Sequence, residues 1–280
     1  MLKTSNSKQS NFSEKIKPYK EAVSSLLEVE KKILAEIKND PSTAPLKHFA
    51  LADEMLNLAS NYFVINGISE AVNKLKKMDA INDARQALIK SFACLETITY
   101  AFADAAYSEY EKKLEGIASI DAGRRYYLIR KMGLTLELLK NAYGQTSKWK
   151  WFFVELEGRY ATVAKNIINL RNAASINDPD SPDYEPTLYH LRLAKKSLMV
   201  AADAFRDKYE LSTNELNDLR TGMNFLSALR RLNLMLGDKE GAEVAKKKYD
   251  VWSSKYEHKL KEENKLKEES KLKENKLKKR

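Results

Sequence analysis

Apolar residues recur at intervals of three and four along nearly the whole chain, and no stretch shows the alternation of a strand. That period predicts an all-α fold. Tyr19, Val23, Leu26, Leu27, Ile33, Leu34 and Ile37 share one face of a first helix. Its start is placed at Pro18, a residue suited to the first helical turn, and its end near Asn39–Asp40–Pro41. A second helix is expected over 46–66, then a turn at Asn66–Gly67, a short third helix over 69–78 and a break near Met78–Asn82. Residues 82–115 read as one long helix, because Ala84, Leu88, Phe92, Leu95, Ile98, Phe102, Ala105, Ala106 and Tyr110 keep the helical spacing with no Gly or Pro between them. Gly116 marks its end. Helices over 121–143 and 146–174 follow, parted at Gly144–Gln145–Thr146.

Between Ile176 and Pro186 lie three of the six prolines and four acidic residues, which reads as a linker and domain boundary. Helices are expected beyond it over 187–209, 213–236 and from 238 onward, with Ser212 and Glu215 as a capping box for the middle one. From Lys259 the chain becomes a near-repeat of Lys, Leu, Glu and Asn, with Leu260, Leu266, Leu272 and Leu277 spaced by six, six and five. A six-residue step advances about 240° around a helix, so these leucines spiral instead of forming a coiled-coil stripe. The expected organisation is a disordered segment over 1–17, a helical domain over 18–175, a linker over 176–186, a helical domain over 187–258 continuing the stack, and a Lys/Glu-rich tail over 259–280. The architecture expected is stacked antiparallel helical hairpins, repeat-like or an irregular bundle, of about eight to nine helices.

Met55, Leu58, Ala59 and Tyr62, followed by Ala71 and Leu75, give the order large, Leu-small, aromatic, turn, Ala, large. This resembles the tetratricopeptide repeat, in which small residues let two antiparallel helices approach and large ones fill the gap. A second approximate unit runs through Leu229, Leu236–Gly237–Asp238 and Ala242, where Gly237 ends one helix and Asp238 caps the next. It departs from the repeat at Arg230, Asn233 and Lys246, which occupy its small, aromatic and large positions, and residues 82–175 do not follow the 34-residue period. The resemblance implies a concave partner-binding scaffold and no catalysis. The matching positions are structural, so it transfers no ligand-contacting residue.

Charge changes this picture at one end only. The chain carries a formal net charge of +10, of which residues 246–280 supply +7. The body is close to neutral, so a weak association with nucleic acid or an acidic surface would be driven by the tail and sensitive to salt. Lys outnumbers Arg about three to one, which argues against base-specific readout. Cys94, the single cysteine, sits in an apolar helical pattern and is expected to be a buried reduced thiol. The polar start lacks a signal-like apolar core, and no apolar run approaches the length of a membrane span, so a cytoplasmic protein is expected.

Chemistry-bearing constellations are few. Asn177, Ser181 and Glu185 have the four-residue spacing of the magnesium motif of terpene synthases, yet Pro179 and Pro182 forbid the helix which that spacing requires, and no Asp-Asp partner motif exists. Asp178, Asp180 and Asp183 lack the turn Gly and closing Glu of a calcium loop. His48, His190 and His258 lie in separate segments without the spacing of a metal pair. No phosphate loop or nucleophile elbow is present, so no enzyme activity, metal or cofactor is expected. Two basic-aromatic stretches remain. Arg124, Tyr127 and Lys131 share one side of a helix, and Trp149 and Trp151 open the next. Both suit a protein interface or base stacking, while Tyr126, Ile129, Trp149 and Phe153 equally suit a core. A fold back at Gly144 would put Arg124 and Trp149 at opposite ends of a hairpin. The leading expectation is a non-catalytic scaffold binding another protein through helix faces. The alternative is a helical nucleic-acid-associated protein in which the tail contacts phosphates and Arg124, Arg125, Arg130, Arg230 and Arg231 add to them.

Overall fold

The computed structural model describes residues 2–144, 148–176 and 178–278, with side chains from 12 to 269 apart from 145–147 and 177. The chain is all-α. Among the described residues ten α-helices and no strand occur: α1 (Leu2–Asn39), α2 (Ala44–Asn73), α3 (Met78–Ile98), α4 (Tyr107–Glu115), α5 (Ala122–Tyr143), α6 (Lys150–Asn166), α7 (Leu170–Ser175), α8 (Tyr184–Lys208), α9 (Leu216–Met235) and α10 (Lys239–Lys278). Short connections fold successive helices back on each other as packed hairpins. The chain divides into two compact units, residues 1–193 and 194–280, and the boundary falls within α8. The Pro-rich segment 176–186 therefore belongs inside the first unit, because Thr187, His190 and Leu191 just beyond it are buried.

In the first unit α2 packs between α1 and α3, and α5 packs on α2, α3 and α6. Met55, Leu56, Leu88, Phe92, Leu95, Ile129, Met132 and Leu139 are fully buried at the centre of its core. Four expectations are corrected here. The first helix starts well before Pro18 and runs through it. Phe12, Ile16, Tyr19 and Val23, spaced by four, three and four, bring one face onto Ile65 and Ala80, and that burial offsets the hydrogen bond Pro18 cannot make. Residues 12–17 are thus a packed part of α1 and not a disordered lead-in.

The turn expected at Asn66–Gly67 is absent, because α2 continues to Asn73 and the chain reverses at Lys74, whose φ is 59°. Asn66 has another task. Its Oδ1 accepts from the Lys77 amide at 2.7 Å and its Nδ2 donates to Glu70, so it ties down the connection into α3. The residues that resemble a tetratricopeptide unit over 55–75 consequently lie on one helix and the bend after it.

The single helix expected over 82–115 is two. α3 ends at Ile98, residues 99–106 form a loop, and α4 begins at Tyr107. The cause lies in α6. Asn166 donates to the carbonyls of Tyr100 (2.6 Å) and Phe102 (3.2 Å), and Lys165 Nζ donates to those of Ala103 (2.8 Å) and Ala105 (3.1 Å). Both side chains are buried, and the carbonyls released by breaking the helix accept from their N–H groups. The helix expected over 146–174 is likewise broken after Asn166, where Asn169 accepts from the Asn172 amide at 3.1 Å and caps α7. These breaks raise the helix count above the expected eight to nine. Residues 145–147, part of the expected break before α6, lie outside the described residues.

The second unit is the C-terminal part of α8 with α9 and α10. Ala201, Phe205, Leu219, Leu226, Leu229, Ala245 and Trp252 are buried in it. Gly237, with φ of 72°, ends α9, and Asp238 accepts from the Gly241 amide at 2.8 Å to start α10. The capping box expected from Ser212 and Glu215 does not form. The end of α8 widens into a π-helical turn over 209–213, and Thr213 takes the role by accepting from the Glu215 amide and donating to Asp218 at 2.6 Å. Among the described residues no helix is long and apolar enough to cross a membrane.

Candidate functional site

The residues singled out in the sequence sit at the two ends of α5. Asp121 caps the helix by accepting from the Arg124 amide at 2.7 Å, and Arg124 itself is exposed on the first turn. Tyr127, one turn on, is 61% exposed. Lys131 lies on the same side but is engaged with α2, where Nζ donates to Asp53 Oδ1 at 2.5 Å and Asn57 Oδ1 at 2.7 Å. Beyond the other end of α5, Trp149 packs with its ring centroid 5.3 Å from that of Tyr143 and beneath the Arg85 guanidinium at 4.7 Å. Trp151 is half-buried with Lys150 Nζ 4.6 Å from its ring. A helix of 22 residues separates Arg124 from Trp149 by about 30 Å, so the two stretches do not form one site. Ile129 and Phe153 are core, while Tyr126 and Trp149 are half-buried at its edge.

The outward face of α5 carries more than the sequence residues. Leu134 is 61% exposed and Leu138 44%, and both fall on the stripe of Tyr127 at spacings of seven and four. Arg130 and Glu137 flank it on one side, and Arg124 and Lys131 on the other. That spacing was available in the sequence. It was hidden by the buried apolar residues Leu128, Ile129, Met132, Leu136 and Leu139, which make the helix apolar nearly all round.

A second feature, absent from the sequence reading as a site, is a cavity of about 140 Å³. Its floor holds Arg125 and His190, both buried, and its solvent side holds Asp121 and Asn172, with Asp183 half-buried between. Arg125 donates to three backbone carbonyls: Ile117 at 2.7 Å, Ile120 at 3.0 Å and Ile167 at 3.1 Å. Burial lowers the basicity of its guanidinium. His190 Nε2 lies 2.9 Å from Ala164 O, so in the neutral ring that nitrogen carries the proton and Nδ1 is the acceptor. Burial pushes the imidazole down to about 4, the bond to Ala164 opposing that shift and the Arg125 charge adding to it. Arg125 and His190 are 65 positions apart, and no motif spacing links them.

The acidic segment after α7 forms tight turns, with the Asp180 amide donating to Asp178 Oδ1 at 3.0 Å. Asn177, one of the magnesium-type positions, lies outside the described residues. Among the described residues no group of three His, Cys, Asp or Glu side chains is placed to hold a metal ion. His48 and His258 lie apart from the cavity.

Fold and sites together define a helical-hairpin protein in which buried basic side chains hold loop carbonyls and one helix leaves an apolar stripe uncovered. The chain belongs to the TP0443 family, whose model matches residues 8–260. No curated protein and no solved structure matches it.

Proposed function

We propose that this chain is a non-catalytic protein-interaction scaffold of the cytoplasm that engages a partner through the outward face of α5. The observation that carries this reading is the stripe of Tyr127, Leu134 and Leu138, three large apolar side chains left in solvent at helical spacing on a helix whose opposite face is core. Its occupant is an amphipathic helix of acidic character. The apolar spacing matches helix-on-helix packing, and the exposed Arg124 and Arg130 at the stripe's edges complement acidic flanks. The tetratricopeptide resemblance in the sequence accords with a scaffold and adds no contact residue to it.

The nucleic-acid alternative draws less support from the body. Several of its cations are committed to carboxylates: Lys140 to Glu157, Arg159 to Glu96, Lys195 to Asp238 and Lys208 to Asp218. With +7 of the +10 in residues 246–280, the body holds little excess positive charge for a phosphate stripe.

Two synthetic amphipathic helical peptides with the same leucine stripe, one flanked by Glu and one by Lys, test the reading by fluorescence anisotropy at physiological salt. The acidic peptide should bind about tenfold or more tighter than the basic one, and Leu134→Glu should abolish its binding while leaving the circular dichroism spectrum unchanged. Equal binding of both peptides, or acidic-peptide binding that survives Leu134→Glu, overturns it. Duplex DNA binding that survives physiological salt, with no peptide binding, would replace it with the nucleic-acid reading.

A further inference from the structure

The geometry points to the cavity under the first turn of α5 as a binding site for a small free amino acid, its carboxylate received by Arg125 and its ammonium by Asp183 and Asp121. This site is independent of the α5 outer face.

Arg125 is 5% exposed and cannot lose its proton, and among the described residues its side chain donates to backbone carbonyls and to no carboxylate. Three backbone carbonyls hold Nε and one N–H of each terminal nitrogen, which fixes the guanidinium and leaves a second N–H on each terminal nitrogen to donate. Asp121 and Asp183 act on it through the cavity without contact, and a buried guanidinium with no carboxylate against it favours an anion beside it.

A simple anion does not satisfy the rest of the cavity. Asp121 stands on the solvent side and Asp183 half-buried behind it, and His190 in the floor is kept neutral by its burial, so the lining charges sum to one negative. The Asp183 carboxylate makes no hydrogen bond among the described residues. Asp121 uses Oδ1 on the Arg124 amide. A lone carboxylate would meet the guanidinium and then face two carboxylates. A lone amine would meet the carboxylates and leave Arg125 unpaired. A molecule carrying an ammonium and a carboxylate on one carbon answers both ends, and neutral Thr187, Asn169 and Asn172 supply further hydrogen-bonding groups in the lining.

Volume sets the size of the ligand. About 140 Å³ is close to the roughly 150 Å³ cavities that accept a six-membered ring, and well below the roughly 300 Å³ at which sites for drug-sized molecules begin. Six or so non-hydrogen atoms describe glycine, alanine and serine and exclude leucine or phenylalanine.

The test is isothermal titration calorimetry on the full chain with glycine, alanine, serine, leucine, propionate and propylamine. One or more of the three small amino acids should bind with Kd on the order of 1 mM or tighter, and leucine, propionate and propylamine about tenfold or more weaker. Arg125→Met removes the anchors of three carbonyls and is expected to unfold the region, so Asp183→Asn serves as the informative variant. It keeps the three carbonyl anchors of Arg125, and it should lose about tenfold in affinity for the amino acid and leave the affinity for propionate unchanged or raised. Propylamine or propionate binding as tightly as alanine, unaltered amino-acid affinity in Asp183→Asn, or no heat from any small amino acid in the tens of millimolar range would each overturn the assignment.

Discussion

At the scale of single residues, burial without an opposite charge is the recurring condition, and it has measurable consequences. The His190 imidazole is held down to about 4 by burial, against 6.5 for the ordinary group. Below about pH 6.5 the unfolded chain binds a proton that the native ring refuses, so this contribution to stability is complete above that value and is lost as pH falls toward 4. Its size is on the order of 3 kcal/mol. Arg125 disfavours the charged ring, and Asp121 and Asp183 line the same cavity. Urea unfolding across that window should show a falling midpoint, and His190→Gln, whose amide can still donate to Ala164 O, should flatten the slope. Cys94 gives a second check. Burial first, and the Glu30 charge second, push its thiol up to about 11, with Lys90 opposing. Because the thiolate is the reactive form, a disulfide reagent at neutral pH should leave Cys94 unmodified in the native chain and react rapidly once denaturant is added.

Among elements, the most instructive is the interrupted helix between Ile98 and Tyr107. Its local sequence favours helix throughout, and the interruption is imposed by Lys165 and Asn166 from another element. Asn166→Ala should therefore cost about 1–3 kcal/mol, since it strands the carbonyls of Tyr100 and Phe102. Hydrogen exchange in residues 99–106 should accelerate while α3 keeps its protection, and acceleration spread evenly over the first unit would contradict the local account. The same logic governs α1. There a Pro inside the helix is tolerated because Ile16 and its neighbours on that face are packed, a fact that neither propensity nor capping signals contain.

For the whole molecule, charge is distributed unequally between a nearly neutral body and a C-terminal stretch that carries +7 of the +10. Association with duplex DNA at low ionic strength should fall steeply as salt is raised and should vanish in a chain ending at Tyr256, as expected for contacts made by the tail. A binding isotherm unchanged by that truncation would place the contacts on the body. Each compact unit has its own buried aromatic centre, Phe92 and Tyr110 in the first and Phe205 with Phe225, their ring centroids 5.7 Å apart, in the second.

Much was legible in the sequence alone, because it depends on periodicity and local chemistry. The 3.6-residue spacing determined the all-α class and the extents of α5, α8 and α9 to within a few residues. Asn39–Asp40–Pro41 fixed the end of α1, and Gly237 with Asp238 fixed the α9–α10 junction, since a left-handed residue and a carboxylate cap act within a few positions. Only the tertiary structure decided the rest. Asn66 acts as a tie and not as a turn because its partner, Lys77, lies eleven residues on. The helix over 82–115 breaks because buried amide and ammonium groups more than sixty residues away need acceptors. Arg125 and His190 meet in one cavity because α5 and α8 pack their first turns around it, an encounter between positions with no fixed spacing in the chain. Hydrophobic periodicity is a property of neighbours in sequence; the satisfaction of a buried charge depends on whatever the fold brings beside it.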